Sequence, residues 1–567
     1  MNVDEMQKKL SQKATKEPEH HFENLYGLLC HEVWLRVAAH TVLQNKGSGT
    51  AGIDGMTKSN FLGDPDGYIR SLQASLKAKT FEPEPVKRVY IPKPNSEKKR
   101  PLGIPILLDR IVQEALRMIL EPIWEADFST HSYGFRPNRS TYDAMTYIGK
   151  RLASSAGQAY QWVIEGDIAS YFGTIPHRRL VKAVKKRVAD RDIRDLLWKF
   201  LRAGVMHQGT TKETLSGTPQ GGIVSPLLAN IYLHALDTYM ESTYLNLTKV
   251  QREKRRRHGQ GNALYVRYAD DFVVFWNGTK ADAHAIKEEL GGFLNTMGLT
   301  LSEDKTKVTH VTEGFDFLGY RVIRSRGTKG NMVPKVLILE KAIDRFRKKV
   351  REMLAPSTTK ESIGVKIQRL NGFIRGWCEY YRSTSRPART FKNITQELFW
   401  DFAHWLGRKY ESNMPAIMQR FRKDNTFGTG TIKLVMPAEY KAKRYRARTW
   451  HNPYTEQDEV KKEKDRMKRE SLFSYDDIHA GESRSGQGDL REEVLLRDGP
   501  ICAWCKKAFN PWEVQVDHIK PYARFKRPED ADRLENLQVL CTEHHRAKTK
   551  TDLKVLSRVR SKPQARF

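Results

Sequence analysis

Two adjacent carboxylates stand out first, in the tetrad Tyr268-Ala-Asp-Asp271. Apolar, strand-like residues lie on both sides, at 264–268 and 272–275. Neighbouring residues in one straight strand point to opposite faces. A tight hairpin turn at Ala269-Asp270 would remove this separation of the two side chains, because it places both carboxylates near the end of a buried hairpin. A lone Asp-Asp pair is more often a turn than a metal site, so the context decides.

A third carboxylate, Asp167, ends another apolar run at residues 163–168. Hard divalent ions such as Mg²⁺ prefer carboxylate oxygens on rigid supports. Nucleotidyl transfer uses two such ions about 4 Å apart, one at the 3′-hydroxyl and one at the triphosphate. Asp167, Asp270 and Asp271 are therefore predicted to form a two-magnesium site for nucleotidyl transfer.

The elements around these carboxylates indicate an α+β fold. Up to about Gly330, short strand-like runs alternate with amphipathic stretches such as Arg178 to Phe200. Beyond Lys341 the pattern becomes helical. One apolar face is predicted at Ile343, Phe346, Val350 and Leu354, and a second at Ile367, Leu370, Ile374, Trp377 and Tyr381. These helices could grip a duplex or folded RNA, or form a plain helical bundle.

The net charge of +31 and the pI of about 9.7 favour a polyanionic partner, DNA or RNA. An ordinary basic protein is the alternative. The segment from Lys441 to Glu470 is dense in Lys and Arg, with Tyr445, Trp450 and Tyr454 among them. The basic run Gln251 to Arg257 is predicted to be an exposed loop. Thr426 to Thr431 is typical of a domain boundary, and Ser483 to Asp489 of a flexible linker.

Two pairs of metal-binding residues lie near the C-terminus, Cys502-Ala-Trp-Cys505 and Cys541-Thr-Glu-His544. A CxxC pair alone is ambiguous, but four such ligands would close a tetrahedral zinc site. Five cysteines fit a reducing compartment, in which such a cluster favours metal over disulfide. The start of the chain is not typical of a signal peptide, and no apolar stretch is long enough to span a membrane.

The order of motifs resembles a group II intron-encoded reverse transcriptase/maturase. Gly166-Asp-Ile-Ala-Ser-Tyr-Phe172 is followed by Ser216-Gly-Thr-Pro-Gln-Gly-Gly222, the Asp-Asp tetrad and Gly298 to Thr306. Upstream, Arg100 to Pro105 and Ser132 to Ser140 are similar to fingers blocks of that family. Downstream, Leu370 to Arg382 is similar to its thumb or maturase segment. The resemblance covers nearly the whole chain and implies a right-hand polymerase (fingers and palm) with a helical thumb.

The resemblance also implies residue roles. Asp167 and Asp270 would be the principal metal ligands, with Asp271 completing the cluster. Phe172 would lie under the incoming sugar, where an aromatic ring excludes a 2′-hydroxyl and so favours dNTPs. From the residues alone, Phe172 could equally be a core residue. Further nucleotide-site residues would be Lys93, Arg100, Gln220 and Lys305, although the three cations could also be solvated surface charges.

The C-terminal segment resembles an HNH nuclease, through Val516-Asp-His-Ile519, Glu535-Asn-Leu537 and His544-His-Arg-Ala-Lys548. His518 would be the general base. Asp517 and His545 would hold a divalent metal, and Asn536 would orient His518. A zinc-stapled DNA-binding module without cleavage is the alternative. Relatives usually carry a fourth Cys in place of His544, which leaves open whether His544 or His545 serves the zinc.

These expectations combine into an intron-mobility protein that works by target-primed reverse transcription. The predicted domains are 1–335 (fingers and palm), 336–430 (thumb), 431–482 (basic DNA-binding segment and linker) and 483–567 (HNH). The partners would be intron RNA, target DNA and dNTPs, without a membrane. The cofactors would be two Mg²⁺ ions in the polymerase site, a divalent ion in the nuclease site and a structural Zn²⁺. The protein would act in the cytoplasm. A retron-type or defence-associated reverse transcriptase and a non-catalytic RNA chaperone are the alternatives.

Overall fold

The chain divides into two compact units, Met1–Met467 and Lys468–Phe567. The computed structural model describes residues 2–92, 99–153, 160–207, 210–212, 216–218, 221–327, 330–429, 432–443, 445, 448–475, 494, 497–499, 501–509, 514–520, 533–541, 543–545 and 547–548. None of the described helices combines the length and the apolar character needed to cross a bilayer. The domain bounds expected from the sequence stay predictions.

Helices dominate the described part of the chain. In chain order they are Val3–Lys16 (α1), Tyr26–Leu29 (α2), Glu32–Gln44 (α3), Lys58–Phe61 (α4), Pro65–Lys77 (α5), Leu107–Trp124 (α6), Thr141–Leu152 (α7), Tyr171–Thr174 (α8), His177–Lys185 (α9), Arg191–Arg202 (α10), Ser225–Met240 (α11), Lys249–Arg257 (α12), Lys280–Thr296 (α13), Glu340–Met353 (α14), Ile363–Tyr381 (α15), Pro387–Tyr410 (α16), Met414–Phe421 (α17) and Gln457–Tyr475 (α18).

The strands form five small sheets. The strands are Val86–Pro92 (β1), Lys99–Ile104 (β2), Trp162–Asp167 (β3), Val205–His207 (β4), Thr210–Lys212 (β5), Ala263–Tyr268 (β6), Asp271–Trp276 (β7), Lys307–His310 (β8), Phe315–Phe317 (β9), Tyr320–Arg326 (β10), Met332–Ile338 (β11), Arg422–Lys423 (β12), Thr426–Thr429 (β13), Ile432–Lys433 (β14), Val514–His518 (β15) and Leu537–Cys541 (β16). The sheet orders are β2-β1-β4-β5, β6-β7-β3-β8, β11-β10-β9, β12-β13-β14 and β15-β16. The mixture of helices and strands confirms the predicted α+β class.

The antiparallel sheet β6-β7-β3-β8 separates two hydrophobic cores of the first unit. Ile164 and Val274 pack into one core, whereas their neighbours Val163 and Phe275 pack into the other. Because both faces are buried, these strands are nearly continuous apolar runs rather than alternating ones. The predicted strands at 163–168, 264–268 and 272–275 are confirmed to within about one or two residues.

The basic run Gln251 to Arg257 is a helix, α12, so the predicted exposed loop is wrong. Thr248 caps the helix through the backbone N–H of Gln251, and the Gln251 side chain accepts from the backbone N–H of Thr248. This capping box supplies partners for the first turn. The cations of the last turn also suit the negative end of the helix dipole. The prediction considered polarity alone and missed both signals.

Helices α14, α15 and α16 share the second core with β13. Phe391, Phe402 and Trp405 of α16 are fully buried there. The predicted apolar faces are confirmed, except that Trp377 is only partly buried. Thr426–Thr429, expected at a domain boundary, is strand β13, and its Phe427 is fully buried in this core.

The basic segment that follows lies against the amino-terminal helices of the same unit. We call residues 445 and 448–454 the strap. Tyr445 stacks on Tyr142 with 4.9 Å between ring centroids, and Arg448 donates to Asp143 at 2.8 Å. The contacts continue with Trp450 against Arg136 and Arg139, Asn452 with Ser11, and Tyr454 with Glu121. The three aromatic residues that suggested nucleic-acid binding therefore pack on protein.

In the second unit, β15 and β16 pair antiparallel, with His518 opposite Leu537. Val514, Leu537 and Val539 form a small core with Val494. A second small cluster contains Cys502, Leu540 and Cys541. Strand β16 contributes to both hydrophobic clusters, and its last residue, Cys541, lies in the cluster that contains Cys502.

Candidate functional site

The carboxylate hairpin has the predicted geometry. Tyr268 pairs with Asp271, so that Ala269 and Asp270 form a two-residue turn between β6 and β7. Ala269 adopts φ 59°, the left-handed conformation that two-residue hairpin turns require. The turn places Asp270 at the tip and Asp271 at the first position of β7. The hairpin turn inferred from the sequence is confirmed.

Asp167 lies directly opposite Asp271 across the pair β3-β7. Residues that face each other in an antiparallel pair have Cβ atoms about 5 Å apart and share one face of the sheet. The Lys305 ammonium donates to both Asp167 oxygens, at 3.1 and 3.0 Å. Sequence reasoning thus identified four groups that the fold brings together: the three carboxylates and one cation.

The electrostatics of this site favour a bound cation. Burial, followed by repulsion from Asp270 and Asp167, raises the pKa of Asp271 to about 7. Burial and Asp167 also raise the pKa of Asp270. Arg100 and Lys305 lower the pKa of both groups but do not offset the rise. Ionising both carboxyls is therefore unfavourable until a further positive charge arrives, and this donor set fits a hard divalent ion.

A cavity of about 220 Å³ opens beside these carboxylates. Asp167, Asp271 and Lys305 line one side, and the β9–β10 turn, with Leu318 and Gly319, lines the other. Water reaches Asp271 through this opening, so the cavity is also the route by which an ion or a substrate hydroxyl could enter. The fold thus gives the carboxylates both rigid supports and access.

Phe172 lies half-buried in the short helix α8, next to this centre. The backbone N–H of Thr218 donates to its carbonyl at 2.6 Å. Gly217 approaches the same carbonyl so closely that a Cβ there would lie 2.7 Å from it, which requires glycine. The close contact of Gly217 is thus with the protein's own backbone. Of the other predicted nucleotide-site residues, Lys93 and Gln220 lie outside the described residues.

Sequence reasoning missed Phe135. Its ring meets Phe172 edge-on at 6.1 Å, and the side chain is half-exposed. Its φ of 58° is uncommon for a bulky residue. Because Gly134 packs on the backbone of Ala269, where a Cβ would lie 2.4 Å away, this loop is tied to the carboxylate turn. No feature of the sequence signals a left-handed Phe.

A buried ion pair behind the carboxylate turn was also missed. Arg267 and Asp237 are both fully buried, and Arg267 Nε donates to Asp237 at 2.7 Å. Arg267 Nη1 donates to the Ala269 carbonyl at 2.9 Å and to Asn230 at 2.9 Å. This guanidinium therefore fixes the turn that carries Asp270. A charged residue inside an apolar strand, between Val266 and Tyr268, is the signal that could have found it.

A second candidate site lies in the C-terminal unit. The ligand atoms of Cys502, Cys505, Cys541 and His544 all lie within 4.8 Å of one another. His544 Nδ1 is 3.4 Å from the Cys502 sulfur and 3.2 Å from the Cys541 sulfur. Burial opposes ionisation of Cys502, but backbone N–H groups outweigh it and lower its pKa to about 6. Three sulfurs and one imidazole nitrogen grouped this closely fit the four-ligand set of a structural zinc ion.

The predicted nuclease residues lie on and beside the β15–β16 hairpin. Asp517 and His518 end β15, and the backbone N–H of His518 donates to the Asp517 carboxylate at 2.8 Å. The Asn536 amide accepts from the N–H of Lys520 at 2.9 Å and donates to its carbonyl at 3.2 Å. Asn536 thus fixes the backbone just after His518. Lys548 lies 3.3 Å from Asp517, and Lys305 lies 3.0 Å from Asp167 in a similar contact.

The raised pKa of Asp271 makes Mg²⁺ binding depend on pH. Below pH 7 a proton competes with the ion for this carboxylate, so we expect Mg²⁺ to bind about tenfold more weakly at pH 6 than at pH 8. The same raised pKa means that ionisation destabilises the metal-free fold as the pH rises through 7. Calorimetric titration of the full chain with Mg²⁺ measures the first effect. The Asp271→Asn variant should lose this pH dependence, and equal wild-type affinities at both pH values would contradict the prediction.

Arg267 is expected to position Asp270 as well as stabilise the fold. Arg267→Met should destabilise the protein by about 3–5 kcal/mol, because Asp237 stays buried without its partner. Replacing both residues, Arg267→Met with Asp237→Leu, should restore most of the stability. The double variant still lacks the donor to Ala269, so its Mg²⁺ affinity should stay about tenfold weaker. Full recovery of Mg²⁺ affinity together with stability would limit Arg267 to a structural role.

Three family models match the chain in succession. They are a reverse transcriptase (RNA-dependent DNA polymerase) at residues 91–322, a group II intron maturase-specific domain at 343–423 and an HNH endonuclease at 502–551. Protein YkfC of Escherichia coli K12 is 42% identical over 59% of this chain and 91% of its own length. The group II intron-encoded protein LtrA of Lactococcus lactis subsp. cremoris is 33% identical over 66% of this chain and 72% of its own. The chain belongs to the group II intron-encoded proteins, as a reverse transcriptase with a maturase domain and an HNH endonuclease.

Proposed function

We propose that Asp167, Asp270 and Asp271 hold the two metal ions of an RNA-directed DNA polymerase that works for intron mobility. The observation that carries the proposal is the pairing of Asp167 with Asp271 beside the turn residue Asp270. Mg²⁺ bound there would activate the 3′-hydroxyl of the primer and neutralise the triphosphate. The matched reverse transcriptase segment spans all three carboxylates.

The surrounding residues would bind and orient the substrates. Lys305 already contacts Asp167, so it would move to a phosphate oxygen when metal takes the carboxylate. Arg100 lies close enough to act on Asp270 and Asp271, which suits a triphosphate contact. The ring of Phe172 would exclude a 2′-hydroxyl and select dNTPs. Lys93 and Gln220 are kept as nucleotide-site candidates from the sequence.

The larger architecture is proposed to be a right hand. The fingers and palm would be residues 1–335, and the helices from α14 onward would form the thumb that also binds intron RNA for splicing. The match to a maturase-specific domain at 343–423 supports this role. Residues 431–482 would hold target DNA through their Lys and Arg side chains, since the strap aromatics already pack on protein. The ribonucleoprotein would act in the cytoplasm.

The C-terminal unit would nick the target strand. His518 would take a proton from the attacking water, and Asp517 and His545 would hold a single divalent ion that supplies charge at the cleaved phosphate. Asn536 would keep the hairpin in shape through its two bonds to Lys520. The residues 502, 505, 541 and 544 would bind structural Zn²⁺. The 3′-hydroxyl freed by the nick would then prime cDNA synthesis.

The polymerase assignment predicts separable defects. Asp270→Ala should reduce cDNA synthesis on an RNA template to background, because one principal metal ligand is lost. Binding of a group II intron transcript and its splicing should continue, since the fold is kept. Primer extension with dNTPs and Mg²⁺ measures synthesis. Asp304→Asn, which removes an exposed carboxylate next to Lys305, serves as the charge-matched control and should stay active. A splicing defect in Asp270→Ala would contradict the separation.

The nuclease assignment predicts the reverse pattern. His518→Ala should slow nicking of double-stranded target DNA by about 10²–10⁴-fold, the usual contribution of a general base. Extension of a supplied primer should be unchanged. Gln515→Ala alters an exposed residue of the same strand and should nick normally. Undiminished nicking by His518→Ala would show that the C-terminal unit binds DNA without this residue acting as the base.

A further inference from the structure

The helix α12 is unusual because it is polar on every side. Among its nine residues, six are Lys or Arg and one is Glu, and none is buried. Its single apolar residue, Val250, is 73% exposed. Helices of proteins normally owe their stability to burial of an apolar face. Packing against the protein therefore does not explain why α12 is there.

Two of its arginines hold α12 in place. Arg252 Nη2 donates to the Leu245 carbonyl at 2.7 Å, and Arg255 Nε donates to the Gly261 carbonyl at 3.0 Å. Arg255 also lies over the Trp276 ring, at 6.0 Å. The Asn262 amide donates to the Arg252 carbonyl. These contacts fix the helix to the body of the unit without using its other cations.

Of the remaining four cations, Lys249, Lys254 and Arg257 are exposed and Arg256 is partly buried. The side chains of Lys249, Lys254, Arg256 and Arg257 form no hydrogen bond or ion pair with another described residue. The helix thus presents four such charges over about two and a half turns, a dense positive surface of the kind that neutralises phosphates. The surface is complementary to a polyanion.

The position of α12 separates it from the nucleotide site. Arg255 touches Gly261 and Trp276, at the end of the β6–β7 hairpin opposite the Asp270 turn. Six strand residues at about 3.3 Å each put roughly 20 Å between the two ends. Nucleotide binding at the carboxylates therefore does not require α12. Its basic surface is available to a large folded nucleic acid that extends beyond the cleft.

We propose that α12 is a docking surface for the phosphate backbone of folded intron RNA, outside the polymerase cleft. The inference rests on the proposed role in intron splicing and adds a second contact region to the helices that follow residue 340. Folded RNA is the proposed occupant because the match to a group II intron maturase-specific domain indicates a large folded RNA as a partner of this chain, and binding of target DNA instead is an outcome of the test.

The test is a fourfold variant of the full chain, with Lys249, Lys254, Arg256 and Arg257 each changed to Gln. Glutamine has a helix propensity close to that of Lys and Arg, and the anchoring Arg252 and Arg255 are kept. The matched control changes Arg178, Lys182 and Lys185 on the basic helix α9, and Lys186 at its C-cap, to Gln; this helix buries Leu180 and Val184. Both variants lose the same charge.

Binding of a folded group II intron transcript is measured over a range of KCl concentrations. The slope of log affinity against log salt is negative, and each lost phosphate contact reduces its magnitude by about 0.7–0.9. The magnitude of the slope should therefore be smaller by about 3 in the α12 variant. Its affinity should fall at least about tenfold at moderate salt. Synthesis on poly(rA)·oligo(dT) should be unchanged, and the α9 control should keep the wild-type slope.

Four results would overturn the inference. An equal loss of slope in the α9 control would mean that net charge alone acts. Weaker binding of target DNA, with intron RNA binding intact, would assign α12 to DNA. If the α12 variant binds the transcript with wild-type affinity and wild-type salt dependence, α12 is not a docking surface for the RNA. If the wild-type chain itself does not prefer the intron transcript over an unrelated RNA of equal length, the proposed splicing role fails, and the inference with it.

Discussion

Asp167 and Asp271 face each other on neighbouring strands, at a separation where two carboxylates repel strongly. The chain holds them there because a second buried layer fixes both strands. Arg267 and Asp237 form an ion pair behind the turn, and Arg267 also binds the Ala269 carbonyl next to Asp270. The buried ion pair holds the turn in place, so the repulsion between the carboxylates is reduced by nearby positive charge, from Lys305 and Arg100 and from a metal ion when one binds, or by protonation of Asp271.

The same arrangement occurs in both units. Lys305 lies 3.0 Å from Asp167, and Lys548 lies 3.3 Å from Asp517. In each case a lysine ammonium contacts the carboxylate that is proposed to bind metal. Such a lysine limits the net charge of a site that holds no metal ion. The two proposed metal sites, one on β3 and one on β15, thus share the pairing of a carboxylate with an ammonium group.

Much of the polymerase centre could be predicted from residue order. The turn at Ala269-Asp270 followed from the alternation rule for strands, and the apolar runs marked the strands on both sides of it. The contacts that fix this centre could not be predicted from the sequence, because they join residues far apart in the chain. Arg267 contacts Asp237, and Phe135 contacts Phe172. The high polarity of residues 251–257 also led to the wrong prediction of a loop. This segment is the helix α12, because a capping box and the helix dipole stabilise a run of cations that has no apolar face.

The strap has a consequence for how such proteins gain and lose modules during evolution. Tyr445, Arg448 and Trp450 lie beyond the maturase-specific match, yet they complete the surface of the amino-terminal helices. A recombination event that ends the chain at the match would strip these helices of their covering. A junction after Met467 would leave them covered, whatever follows. The endonuclease domain can therefore be exchanged without uncovering these helices only when the junction lies after the strap. The strap thus limits where a new C-terminal domain can be joined.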